Sequence, residues 1–176
     1  MTDAATDYTP HEDLPRLDRP VLLVALGGWI DAGGAANSAM DAIRSACNVR
    51  PLATFDSDVF LDYRARRPVM ELRDGVNTRL VWGEILLGVG EDPQGHPVLT
   101  LTGPEPDSQW RRFARTVSEL ALRLGVYQMV ALGAYPFASP HTRPPRLAMS
   151  SPSAEVVARL PYLRSSVDVP AGMSAV

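Results

Sequence analysis

Residues 21–26, VLLVAL, form an unbroken apolar run rich in valine and leucine. Such runs suit a strand buried on both faces of a parallel sheet. GGWIDAGGAA follows at once. ANSAMDAIRSAC then places Ala36, Met40, Ile43 and Cys47 at helical spacing, with Asp31 as a candidate N-cap. This predicts a strand–turn–helix unit. RPLATFD, 50–56, predicts the next strand, whereas residues 57–75 show no clean period. Asp74-Gly75 is a turn signal, and TRLVW, 78–82, alternates like a strand. EILLGVGEDPQG predicts a short strand and a polar turn. PVLTLTG, 97–103, is again of the buried-strand type.

SQWRRFARTVSELALRLG, 108–125, predicts a helix. Trp110, Phe113, Val117, Leu120, Ala121 and Leu124 form its apolar stripe, Ser108 is positioned to cap it and Gly125 to stop it. VYQMVALG predicts the strand after it. SPSAEVVARL, 151–160, predicts a short helix capped by Ser151 or Ser153. The alternation of strands and helices points to a layered α/β domain. Its sheet is expected to be mixed but mainly parallel. The polar, proline-punctuated residues 1–19 read as a mobile arm, and residues 20–176 as one domain. VDVPAGMSAV reads as a strand fragment and the opening of a further helix, so the domain is expected to be truncated at its C-terminal end.

Composition narrows the chemistry. All 17 basic residues are arginine, which excludes a Schiff-base lysine and the lysine of a phosphate-binding P-loop. The net charge of −3, with arginines spread along the chain, argues against a nucleic-acid partner. No apolar run approaches the length of a membrane helix, and the N-terminus lacks a signal-peptide pattern. A single cysteine and three scattered histidines leave no Cys-type zinc site, so no metal and no cofactor are expected. A cytoplasmic location follows as the default.

Three of the buried-type strands end in glycine, at Gly27–Gly28, Gly103 and Gly133. Parallel strands would bring their loops to one edge, where open α/β sheets bind ligands. The first loop offers Trp29, Asp31, Gly33 and Gly34. Backbone N–H groups there are suited to an anion, or Asp31 simply caps the helix. The second offers Glu105 and Asp107, an acid–base pair or a pair of structural carboxylates. The third, GAYPFASPHTRPP, holds His141 and Arg143 on a backbone stiffened by Pro140, Pro144 and Pro145. Arg143 offers a planar fork for a carboxylate or phosphate. Its partner is a ligand, or else Glu105 or Asp107 in a clasp between loops. Removing Arg143 from such a clasp would cost about 2–4 kcal/mol. YRARRP, 63–68, reads as a solvated edge or an oligomer contact.

GGWIDAGGAANSAM, DYRARRPVMELRDG, GPEPDSQWRRFA and LGAYPFASPHTRP together resemble the proteasome assembly chaperone 2 family, in its actinobacterial branch of uncharacterised proteins. The resemblance implies a three-layer α/β sandwich similar to the nucleoside phosphorylase and hydrolase fold. It also implies self-association. Family members that act as assembly chaperones dock on the proteasome through a tail whose penultimate residue is tyrosine; this chain ends Ser174-Ala175-Val176. No catalytic residue carries over, because the family has no agreed active site.

The leading expectation is therefore a non-enzymatic assembly or scaffold-type protein that forms homo-oligomers and docks on a larger protein complex. The alternative is a small-molecule binder or hydrolase. It would hold a nucleoside-like ligand in a cleft at the carboxyl edge of the sheet, formed by the three loops.

Overall fold

The computed structural model describes residues 7–138, 140–164 and 166–175. They fall into two compact units, one within Met1–Tyr135 and Ala171–Val176, the other Pro136–Pro170.

The first unit is built on a six-stranded sheet. Its strands are β1 (Tyr8–Pro10), β2 (Val21–Gly27), β3 (Arg50–Phe55), β6 (Leu86–Glu91), β7 (Pro97–Pro104) and β8 (Gln128–Ala131), in the spatial order β1-β3-β6-β7-β2-β8. β4 (Val69–Arg73) and β5 (Val76–Val81) form a separate antiparallel hairpin. Helices α1 (Ala35–Ala46), the single turn α2 (Ser57–Phe60) and α3 (Trp110–Leu124) complete the unit.

The expected mainly parallel sheet is corrected. β2 pairs parallel with β7 and with β8, but β1–β3, β3–β6 and β6–β7 are all antiparallel. For β6 and β7 the physical reason lies in the turn at 92–96. Asp92 accepts the backbone N–H groups of Gln94 and His96 at 2.9 and 2.8 Å. A connection that short closes a hairpin, because a parallel return needs about a dozen residues. His96 adds its ring nitrogen to the same carboxylate at 3.0 Å.

Alternation along β2 sends Leu22, Val24 and Leu26 to one face, where they join the α3 residues Phe113, Leu120 and Leu124 in the main core. Gly27 faces the other way and lies against Asn37 of α1. α1 and α3 therefore cover opposite faces of the sheet. Phe55, Phe60 and Phe113 form the aromatic centre of the core, with ring centroids 4.9 Å (Phe55–Phe113) and 5.1 Å (Phe60–Phe113) apart. The cavity among these apolar residues is about 10 Å³, too small for a ligand.

Three local expectations change. Tyr8–Pro10, placed in the arm by sequence, pairs with β3 as an edge strand. Ser108 does not cap α3. Its hydroxyl donates to the Val59 carbonyl at 3.2 Å, and Gln109 takes the N-cap position without a side-chain bond. The stretch 166–170 holds no strand, and Met173–Ala175 makes one 3-10 turn. Gly125 ends α3 as expected, with φ +81°.

The second unit has little regular structure. Prolines at 136, 140, 144, 145, 152, 161 and 170 deny it backbone donors. α4 (Ala154–Arg159) is capped by Ser153, whose hydroxyl accepts the Val156 N–H at 3.3 Å. Leu163 bridges to the 147–149 stretch, donating to the Leu147 carbonyl at 3.1 Å.

Candidate functional site

β2, β7 and β8 run side by side in one direction, with Val21 opposite both Val98 and Gln128. Their carboxyl ends therefore open on one edge of the sheet. The loops 27–34 and 104–109 and the start of the third loop, 132–135, gather there.

In the first loop Asp31 is committed to the scaffold. Its carboxylate accepts the Ala36 N–H at 2.7 Å and the Asn37 amide at 2.6 Å. Gly33 and Gly34 take φ +68° and +70°, and this left-handed pair turns the chain so that Asp31 reaches past them. An acidic group thus already occupies the N-terminus of α1, the position suited to an external anion. Asp31 also forms a bridge with Ala134. The Ala32 N–H donates to the Ala134 carbonyl and the Ala134 N–H to the Ile30 carbonyl, both at 2.6 Å. Trp29 beside it is 41% exposed.

Glu105 is held at both ends. Its backbone N–H donates to the Gly27 carbonyl at 2.9 Å, and its carboxylate accepts the Met173 N–H at 2.5 Å. That bond fastens 171–175, whose Met173 side chain is buried in the core. Asp107 accepts the backbone N–H of Asp62 at 2.9 Å and Nε of Arg66 at 3.0 Å. The two carboxylates serve different neighbours.

His141 and Arg143 belong to the second unit. Both are exposed. Asp107 is clasped by Arg66, which the turn after α2 delivers to it. Arg143 lines an open pocket of about 460 Å³ with Phe137, Ala138, Pro140, Pro144 and Arg146.

Sequence reasoning missed Arg66, Asn37 and Met173. Arg66 and Met173 meet their carboxylates through the fold, Met173 from 68 positions away, whereas Asn37 lies six positions from Asp31. YRARRP was a visible signal for Arg66; nothing in the sequence pointed to Met173.

The β4–β5 hairpin is the other conspicuous surface. Val69, Met70, Leu72, Val76, Leu80 and Val81 are all exposed along it. Its charges are largely internal: Arg79 meets Glu71 at 2.8 Å, with Arg73 at 3.9 Å from the same carboxylate. At its base Trp82 packs edge-on against Tyr63, ring centroids 4.7 Å apart. Burial, and then the hydrogen bond the phenol donates to Asp58 at 2.8 Å, push Tyr63 up to about 12. Among the described residues no cluster of His, Cys, Asp or Glu is arranged to hold a metal, and no helix is long and apolar enough to cross a membrane.

The PAC2 family model matches residues 25–176. The chain belongs to the PAC2 family. That match includes the β2–α1 turn, the hairpin and the α3 loop. Among solved structures the PAC2 chain is similar to Rv2714 of Mycobacterium tuberculosis, a protein of unknown function. The identity is 38% and the TM-score 0.86, over 96% of this chain and 60% of that one. A protein of unknown function from Corynebacterium glutamicum matches at 32% identity and TM-score 0.84, over 95% of this chain and 64% of that one. Rv2125, a proteasome-assembly chaperone homologue of M. tuberculosis, matches at 29% identity and TM-score 0.81, over 88% and 66% respectively. The PAC2 chain thus spans less than two thirds of the length of these relatives. No curated protein matches it.

Proposed function

We propose that this PAC2 chain is a cytoplasmic, non-enzymatic assembly protein that associates with itself and docks on a larger protein complex. Family membership and the likeness to a proteasome-assembly chaperone homologue support the class. Its two-helix-layer sheet is compatible with the nucleoside phosphorylase-like sandwich proposed for the family. In the loops at the sheet edge, Asp31, Glu105 and Asp107 are each bound to scaffold groups, which favours this reading over a hydrolase there.

The observation that carries self-association is the hairpin. A two-stranded ribbon is marginal in water by itself, and this one exposes Val69, Met70, Leu72, Val76, Leu80 and Val81. Val69 pairs with Val81 on one face of the ribbon and Met70 with Leu80 on the other, and exposed apolar surface marks protein contacts. The occupant it fits is the same hairpin of a second copy. The Glu71–Arg79 and Glu71–Arg73 pairs leave little unbalanced charge to oppose a copy of the same surface. Light scattering on the purified chain at micromolar concentration tests this. The expected result is an oligomer that becomes monomeric in Val69→Glu/Leu80→Glu. A monomeric parent chain, or an oligomer indifferent to both charges, refutes it.

A further inference from the structure

The pocket of about 460 Å³ in the second unit has an unusual wall. Two of its six lining residues, Arg143 and Arg146, are cations, and none is acidic. Neither guanidinium has a hydrogen-bond or ion-pair partner among the described residues. The unit carries Arg143, Arg146, Arg159 and Arg164 against only Glu155 and Asp168, within a chain of net charge −3. Positive charge is thus concentrated where the rest of the molecule is acidic.

The backbone behind this wall is stiff. Pro140, Pro144 and Pro145 hold φ near a single value, and the Arg143 N–H closes a turn on the Pro140 carbonyl at 3.1 Å. A loop ordered before binding loses less freedom when it engages a ligand. The remaining lining is flat or apolar: the Phe137 ring, 63% exposed, with Ala138 and the two proline rings. The volume lies within the range of small-molecule pockets, roughly 300–1,000 Å³. A guanidinium fork matches a phosphate through paired hydrogen bonds and also stacks on planar rings. Two such forks match the charge of a phosphate monoester dianion.

We propose that this pocket binds a phosphate monoester carried on a flat, unsaturated ring. Arg143 and Arg146 grip the phosphate, and the ring lies against Phe137 and the prolines. The site is independent of the hairpin and of the assembly role.

Isothermal titration of the full chain with phenyl phosphate tests it, with inorganic phosphate and benzyl alcohol as controls. The expected result is saturable binding of phenyl phosphate, at least tenfold tighter than of either control. Arg143→Gln/Arg146→Gln weakens it at least tenfold. Phe137→Ala weakens phenyl phosphate and leaves inorganic phosphate unchanged. These side chains are exposed, and unchanged melting temperatures verify that the variants fold. No binding of phenyl phosphate, binding undiminished in the double variant, or inorganic phosphate binding as tightly, each overturns the proposal.

Discussion

Gly28 lies beneath the carboxylate of Glu105: a Cβ at position 28 would stand 2.5 Å from Oε2. The other oxygen of that carboxylate receives the Met173 N–H. Gly28→Ala therefore displaces Glu105 from its partner, at an expected cost of about 1.5 kcal/mol, the low end for a hydrogen bond to a charged group. In a Glu105→Ala background the same alanine is expected to cost about 1 kcal/mol less. Urea unfolding of the four chains measures the coupling, and equal costs in both backgrounds would show that the two residues act separately.

Gly103 is constrained by backbone instead. It holds φ +132°, and a Cβ there would meet the Glu84 carbonyl oxygen at 2.3 Å and the Ile85 Cα at 2.8 Å. Neither atom yields as a side chain does. Gly103→Ala is expected to cost about 3 kcal/mol, more than Gly28→Ala. Thermal melts rank the two, and a Gly103→Ala chain as stable as the parent sinks the expectation.

Arg66 and Arg143 are expected to differ in their contribution to stability. Arg66 meets Asp107 and ties the turn after α2 to the 104–109 loop. Its replacement by alanine should cost about 1 kcal/mol, since the pair is partly solvated. Arg143→Ala should change stability by no more than about 0.5 kcal/mol. The reverse order in chemical denaturation would return the clasp to Arg143.

Asp7 carries an acid-dependent contribution. Burial raises its pKa, but hydrogen bonds from Arg112 and Thr116, with the charges of Arg112 and Arg115, outweigh burial and hold it below the usual carboxylate range. A depressed folded value stabilises the fold fully above the unfolded value near 4 and loses that contribution as pH falls through the folded value. The stability difference between the parent and Asp7→Asn should be constant from neutrality to about pH 5 and shrink below about pH 4. A difference that persists unchanged into strong acid would place its origin in packing.

Much of the first unit was legible from local pattern. VLLVAL, PVLTLTG and the 110–124 stripe name their elements, because burial on a strand or helix imposes a period of its own. The parallel alignment of β2, β7 and β8 followed from their apolar runs and intervening helices. The antiparallel half did not, since β3 and β6 look equally buried whichever way they run. Ser108 shows the same limit: a serine before a helix reads as a cap, yet the nearby Val59 carbonyl takes its hydroxyl.

For the candidate site, residue types were legible and partners were not. Asp31, Glu105, Asp107 and Arg143 stood out by chemistry and by their place after strands. Which of them would be spent on the scaffold depended on contacts across 41 and 68 positions, to Arg66 and Met173. The sequence by itself determined the buried strands, the amphipathic α3 and the stiff arginine-bearing loop, because these arise from side-chain periodicity and proline geometry. Only the tertiary structure decided strand direction, the occupancy of the Glu105 and Asp107 carboxylates and the exposure of the hairpin. Those rest on distances between residues that no local pattern encodes.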